Sequence, residues 1–389
     1  MKRAFQPITI GGLHLKNRFI KSATYEGMYD QGLPNRDLVE HHKAMVKGGV
    51  ALTTVAYGAV SAEGRTFSNQ MYIHSGSLPF LKKLADEVHK TGGKVSMQLT
   101  HCGFFSKNNS IQQPLAPSRL FNAYGFLSGL PFSKTMDETD MDKVADDFAQ
   151  SALSLSKIGF DAVELHFGHG YLLSQFLSPA TNKRKDRFGG SIENRARFPM
   201  QVFERVNSAV GGSMAILVKL NLSDGFKGGF NLADCSYVAG KLEESGCSAL
   251  VLSGGFTSKT PFYLLRGDVP LKEMIQNSSS FTEKLTLALF GPFLVKKYRF
   301  TPLFFLDMAR KIRKAVKMPL AYLGGVQSRE DIRQLMEDNF DLIALARPLI
   351  HDSNFLHKLR SGEINESACD RCNECIVEMD RSGVRCTRN

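Results

Sequence analysis

The segment LHFGHGYLLSQFLSP concentrates the chemistry of this 389-residue chain: His166 and His169 stand three apart, and Tyr171 follows two residues on. Two imidazoles at that spacing in a strand-to-loop turn can converge on one oxygen atom and polarise a carbonyl or nitro group. Tyr171, with an ordinary pKa of about 10, keeps its proton at neutral pH and can deliver it to a carbon turning carbanion-like. Two other readings compete. An HxxH pair can bind a metal, but Glu164, on the same strand face as His166, lies one pleat repeat deeper (roughly 6 to 7 Å), which leaves the ligand set short. The three side chains can also be plain structure at the mouth of a fold.

Two further groups carry chemistry. Gly324 and Gly325 follow one apolar run, and Arg347 follows the next, just before Pro348. Glycine N–H groups can approach an anion closely, and an arginine can clamp it with paired donors, although a lone GG often marks only a tight turn. Near the C-terminus, Cys369, Cys372, Cys375 and Cys386 read CxxCxxCx10C. Four thiolates so spaced can hold a [4Fe–4S] cluster or a zinc ion, and reduced thiols are the third reading. Seven cysteines in a chain of this length do not make a disulfide framework.

These residues need elements to position them. Short apolar runs recur at Asn17–Thr24, Gly49–Tyr57, Lys94–Thr100, Asp161–Phe167, Ala215–Asn221, Ala249–Gly255, Pro319–Gly325 and Asp341–Arg347, and read as buried strands. Helical spacing lies between them, over Arg36–Lys47, Leu78–Thr91, Met141–Ile158, Ile192–Val210, Leu232–Ser245, Thr301–Ala315, Ser328–Asp338 and Ser353–Arg360. A doubly wound dinucleotide fold would want GxGxxG after its first strand, and none is present, so the alternation predicts an α/β fold of the (β/α)8 TIM-barrel type. In such barrels function gathers at the C-terminal strand ends, and phosphate is commonly taken after strands seven and eight, where Gly324, Gly325 and Arg347 fall. Long loops, Thr100 to Glu138 after strand three and Gly255 to Phe300 after strand six, read as active-site walls or lids. The second contains LTLALFGPFLV followed by KKYR; a pocket wall or oligomer contact is favoured there over a membrane-surface element. Residues 1–360 are expected to form the barrel and 361–389 a Cys-rich segment.

The formal charge of +11 favours anionic partners, but Lys and Arg are dispersed, which argues for a solvated surface with phosphate ligands rather than a nucleic-acid binder. The first residues, MKRAFQPITIGG, lack the apolar core of a secretory signal, and no apolar run is long enough to span a membrane, so a cytoplasmic protein is expected. A homo-oligomer is compatible with this reading.

Over essentially the whole barrel the chain resembles the old yellow enzyme family of FMN reductases. The likeness is carried by NRFIKSAT (Asn17–Thr24), VSMQLTH (Val95–His101), APS (Ala116–Ser118), LGGV (Leu323–Val326), ARPLI (Ala346–Ile350) and above all HFGHGYLLSQFLSPATNKRKDRFGGSIENRARF (His166–Phe198). The resemblance implies FMN lined by Ala23, Thr24 and Tyr57, with Gln98 on the pyrimidine edge of the ring. It places Lys219 near flavin N1 and O2, and Gly324, Gly325, Ala346 and Arg347 at the phosphate. It assigns His166 and His169 to the oxygen of a small-molecule substrate and Tyr171 to proton transfer, with NAD(P)H as co-substrate and an activated C=C as acceptor. Tyr25, Lys219 and Ala346 stand where relatives often have Cys or Thr, Arg, and Gly. The cysteine motif resembles the cluster loop of the dienoyl-CoA reductase and trimethylamine dehydrogenase branch. That leaves an iron–sulfur electron-transfer or redox-sensing module, or a dienoyl-CoA-type reductase, as alternatives. A flavin-free aldolase with Lys219 as Schiff-base lysine is the remaining alternative.

Overall fold

In the computed structural model, which describes residues 1–278 and 281–389, eight parallel strands close into a barrel in chain order. They are β1 (Phe19–Lys21), β2 (Leu52–Ala59), β3 (Lys94–Thr100), β4 (Ala162–Phe167), β5 (Ala215–Asn221), β6 (Ala249–Ser253), β7 (Leu320–Tyr322) and β8 (Leu342–Leu345). The last strand pairs with the first, Ile343 opposite Phe19, so no sheet edge is left open. Every strand is buried on both faces, which is why each reads as a continuous apolar run rather than an alternating one.

The interior near the N-terminal strand ends is filled by small or branched side chains, among them Ala162, Ala215, Leu217, Ala249, Val251 and Ala321. The hairpin Ile8–Ile10 with Leu13–Leu15 packs Ile10, Leu13 and Leu15 into this group and stops that end. Closure of that end leaves the C-terminal end as the functional one.

Eight helices wrap the barrel: α1 (Arg36–Lys47), α2 (Leu78–Lys90), α3 (Glu138–Lys157), α4 (Arg197–Val210), α5 (Leu232–Glu244), α6 (Leu306–Ala315), α7 (Arg329–Glu337) and α8 (Phe355–Ser361). Their starts follow capping chemistry. Asn35 and Asn231 accept first-turn N–H groups, while Asp137 with Asp140 and Ser328 with Asp331 form reciprocal capping boxes. The expected helix Ile192–Val210 is broken at Ala196 into Ile192–Arg195 and α4. The expected helix Thr301–Ala315 begins only at Leu306, because Phe304 and Phe305 turn in to pack beside the glycines after β7.

Both long loops are present. The one after β3 carries only two short strands and two 3-10 turns. The one after β6 contains helices Leu271–Asn277 and Phe281–Leu294; Ser279 and Ser280, and the side chains of residues 283 and 292–294, lie outside the described residues. No helix among the described residues is long and apolar enough to cross a membrane.

Candidate active site

Strand register builds the site before any side chain is considered. His166 on β4 sits opposite Lys219 on β5, Glu164 sits opposite Gln98 on β3, and Asn221 sits opposite Ser253 on β6. Paired residues on parallel neighbours share a face, so these side chains stack in three successive levels toward the C-terminal end of the barrel.

After β4 the chain turns through two residues with left-handed φ, His169 at 58° and Gly170 at 80°. A Cβ at Gly170 would lie 2.5 Å from the Phe256 ring, so only glycine fits there. The unusual His169 backbone is held from both sides: its N–H donates to Asn221 Oδ1 (3.1 Å), and its carbonyl accepts from Thr257 N (2.9 Å). Its ring Nε2 lies 2.7 Å from Ser253 Oγ. The His166 and His169 rings are 4.9 Å apart, and the His166 and Tyr171 rings 4.6 Å. Tyr171 in turn meets Tyr57 and Phe105 edge-on at 5.3 and 5.1 Å.

Burial sets the protonation of this group. It drives His166 well below the usual histidine range and His169 down to about 3, with the nearby Lys219 charge acting in the same direction. Both imidazoles are therefore neutral at physiological pH. Burial raises Tyr171 well above 10, so it keeps its proton. His166 Nδ1 is buried with no hydrogen-bond partner, a capacity left for a ligand.

Lys219 Nζ pairs with Glu164 Oε1 at 2.9 Å and donates to Ser22 Oγ at 3.3 Å, and the same Glu164 oxygen accepts from Gln98 Nε2 at 2.7 Å. Gln98 and Lys219 are thus joined through Glu164. Beyond Lys219 opens a cleft lined by Ala23, Thr24, His169, Lys219, Gly324, Gly325, Ala346 and Arg347. Tyr57, Gln98, His166 and Tyr171 do not line it and connect to it through His169 and Lys219.

At the far end Gly324 (φ 136°) and Gly325 (φ 76°) bend back against α6's leading turn. A Cβ on either would come within 2.8 Å of Phe305 or Phe304. Arg347 opens the short helix Arg347–His351, and its Nη1 donates to the Leu265 and Arg266 carbonyls (3.3 and 2.8 Å) and to Asn373 Oδ1 (2.8 Å). Two cations, close-approach glycines and apolar walls from Leu264, Phe304 and Met379 fit a flat aromatic ring with a phosphate-bearing tail, which is the chemistry of FMN.

The walls Leu264, Phe304, Cys375 and Met379 and the supports Asn221 and Glu164 are parts of the site that motif reading did not assign. Asn221 had a signal, since it closes the fifth strand.

The cysteine segment packs against the same cleft. Cys375 lines it, and burial pushes its thiol up to about 12, with Cys369, Cys372 and Cys386 near enough to add to the effect while Arg347 opposes it. Cys386 Sγ lies 3.3 Å from His351 Nδ1. The four thiols are neighbours, yet among the described residues no three His, Cys, Asp or Glu side chains converge closely enough to hold a metal ion.

Comparison with known proteins supplies the family. A 4,4'-dithiodibutanoate disulfide reductase of Rhodococcus erythropolis is 36% identical over 98% of this chain and 94% of its own length. An NADH oxidase of Thermoanaerobacter brockii is 28% identical over 98% of this chain, which spans 54% of that longer protein. A solved 2-naphthoyl-CoA reductase shares the fold with a TM-score of 0.83 at 22% identity, over 100% of this chain and 57% of that one. Residues 3–252 match the profile of one family, and with the Rhodococcus relative that settles membership: the chain belongs to the NADH:flavin oxidoreductase / NADH oxidase family and is an oxidoreductase.

Proposed function

We propose that the chain is an ene-reductase that holds FMN in the cleft, oxidises NAD(P)H and reduces the activated C=C of an α,β-unsaturated carbonyl or related small molecule. When bound, FMN supplies hydride transfer, from the nicotinamide and on to the acceptor. Lys219 sets a positive charge where the ring would lie, and Gly324, Gly325 and Arg347 anchor the phosphate.

The observation that carries the reading is the buried neutral pair His166 and His169 beside a protonated Tyr171. A neutral imidazole presents one N–H, and His166 Nδ1 has no protein partner, so in that tautomer it can donate to a substrate oxygen that gains charge. Asn221 and Ser253 hold His169 in place for the same oxygen. Tyr171 gives its proton to the α-carbon.

The Rhodococcus relative, a disulfide reductase by name, supports a second acceptor class. An S–S bond takes two electrons and two protons to give two thiols, and Tyr171 would then protonate a thiolate. Anaerobic bleaching of bound flavin by NADH and NADPH, followed by reoxidation with cyclohexenone and with 4,4'-dithiodibutanoate, separates the two. Failure of both nicotinamides to bleach the flavin sinks both readings.

We further propose that Cys369, Cys372, Cys375 and Cys386 hold a [4Fe–4S] cluster, on the support of their spacing and their common neighbourhood beside Arg347. Iron and sulfide analysis of anaerobically purified protein tests this. Protein free of both retires it.

A further inference from the structure

Ten large hydrophobic side chains stand exposed among the described residues, and nine of them lie on the two long loops. Phe80 is the exception. On the loop after β3, Phe121, Phe126, Leu127 and Phe132 are 41 to 64% exposed, and the Phe121 ring lies 5.9 Å from that of Phe126 and 5.7 Å from that of Phe132. On the loop after β6, helix Phe281–Leu294 exposes Phe281, Leu285 and Leu289, which the i, i+4, i+8 spacing sets in one stripe, and Phe290 beside them. Both loops follow C-terminal ends of parallel strands, so both project from the end of the barrel that carries the cleft. Tyr124 Oη donates to the Thr257 carbonyl at 3.4 Å and links the one loop to the other.

Charge follows the same division. The two loops, residues 100–138 and 255–300, hold ten Lys and Arg against five Asp and Glu, a net +5 out of the chain's +11. On the first loop the two carboxylates, Asp137 and Glu138, come last, where Lys134 pairs with Asp140 at 2.7 Å. Several cations flank the apolar tips directly: Arg119 lies over the Phe132 ring, Lys284 sits inside the exposed helix, and Lys296, Lys297 and Arg299 follow its end. Of these, Lys297 pairs with Asp268 at 2.5 Å.

Exposed apolar tips ringed by cations match a surface that is apolar beneath and anionic on top. We propose that this end of the barrel docks on an anionic lipid bilayer, the two loop tips entering the headgroup region and the basic residues meeting the lipid phosphates. Seated so, the mouth of the barrel opens onto the lipid. A protein partner would match the apolar stripe, but it would not by itself account for the one-sided charge spread over both loops. The docking is independent of the proposed reaction, because it is read with no substrate present.

The test is flotation of the full FMN-loaded chain with phosphatidylglycerol–phosphatidylcholine vesicles and with phosphatidylcholine vesicles, at low and high salt. Binding to the anionic vesicles that falls with salt is expected. Phe126→Glu with Leu127→Glu, and Leu289→Glu with Phe290→Glu, each weaken it by about tenfold or more. Lys296→Glu with Lys297→Glu weakens binding to anionic vesicles about tenfold or more. All three pairs keep the native circular-dichroism spectrum and thermal midpoint, which shows that they fold. No binding to anionic vesicles, or binding indifferent to these substitutions, overturns the proposal. A solution dimer abolished by the same apolar substitutions, without vesicle binding, also overturns it and assigns the patch to a second copy of the chain.

Discussion

Lys219 and Glu164 are paired inside the barrel, Nζ to Oε1 2.9 Å, with 1% and 2% of their side chains exposed. A buried pair of this kind binds each partner to the other: removing one leaves an uncompensated charge, whereas removing both does not. Here the pair also separates two tasks. Glu164 and Gln98 face the barrel interior, and Lys219 lines the cleft.

Lys219→Met should therefore destabilise the fold by about 3–5 kcal/mol, because Glu164 loses its paired cation and keeps only Gln98 as a hydrogen-bond partner among the described residues, with Lys21 farther off. Lys219→Met combined with Glu164→Gln should recover most of that loss in a thermal melt. Flavin reduction by NAD(P)H should stay slow in both, since the cation that balances the charge of reduced flavin is gone. A double variant reduced as fast as the native protein would remove Lys219 from the cofactor site.

Tyr171→Phe removes a proton donor and its hydroxyl contact with Tyr57, while the ring keeps its packing against Tyr57, Phe105 and His166. Stopped-flow should show flavin reduction within about twofold of native and reoxidation by an enone slowed roughly 10² to 10⁴-fold. Because burial raises the Tyr171 pKa well above 10, the native oxidative half-reaction should not lose this donor on the alkaline side up to about pH 10. Equal losses in both half-reactions would take Tyr171 out of the acid role.

The barrel was legible because each strand is a short apolar run buried on both faces, and because the Asn and Asp/Ser caps mark helix starts by local chemistry. The positions of His166, His169 and Tyr171 were legible for the same reason, since one segment carries all three. Glu164 as the link between Gln98 and Lys219 was not. Its partners come from β3 and β5, Gln98 being 66 residues away, and only strand register brings them together. Likewise the walls Leu264, Cys375 and Met379 reach the cleft from a loop and from the C-terminal segment, and no local pattern announces such an approach. The apolar stretch after β6 was expected as a pocket wall or oligomer contact. The cleft wall from that loop is Leu264 and Leu265, while Leu285, Leu289 and Phe290 stand exposed.

Acid should unfold this protein earlier than its carboxylates alone would require. Burial depresses His41, His101 and His169 to about 3, 4 and 3, and His42 and His166 well below the usual range. In the unfolded chain each titrates near 6.5, so between there and its folded value only the unfolded state takes up the proton, and stability falls as pH falls. The loss is about 1.4 kcal/mol per pH unit for each histidine inside that window. Glu26, raised to about 7 by burial, works in the opposite sense over roughly pH 4.5 to 7, and burial raises Asp147 and Asp224 likewise, but these three groups face five histidines. Chemical-denaturant midpoints should therefore drop steeply from pH 7 to pH 5, and replacing His101 by Gln should flatten the slope by about one proton's worth. A midpoint unchanged over that interval would mean that these histidines are not buried and neutral in the folded protein.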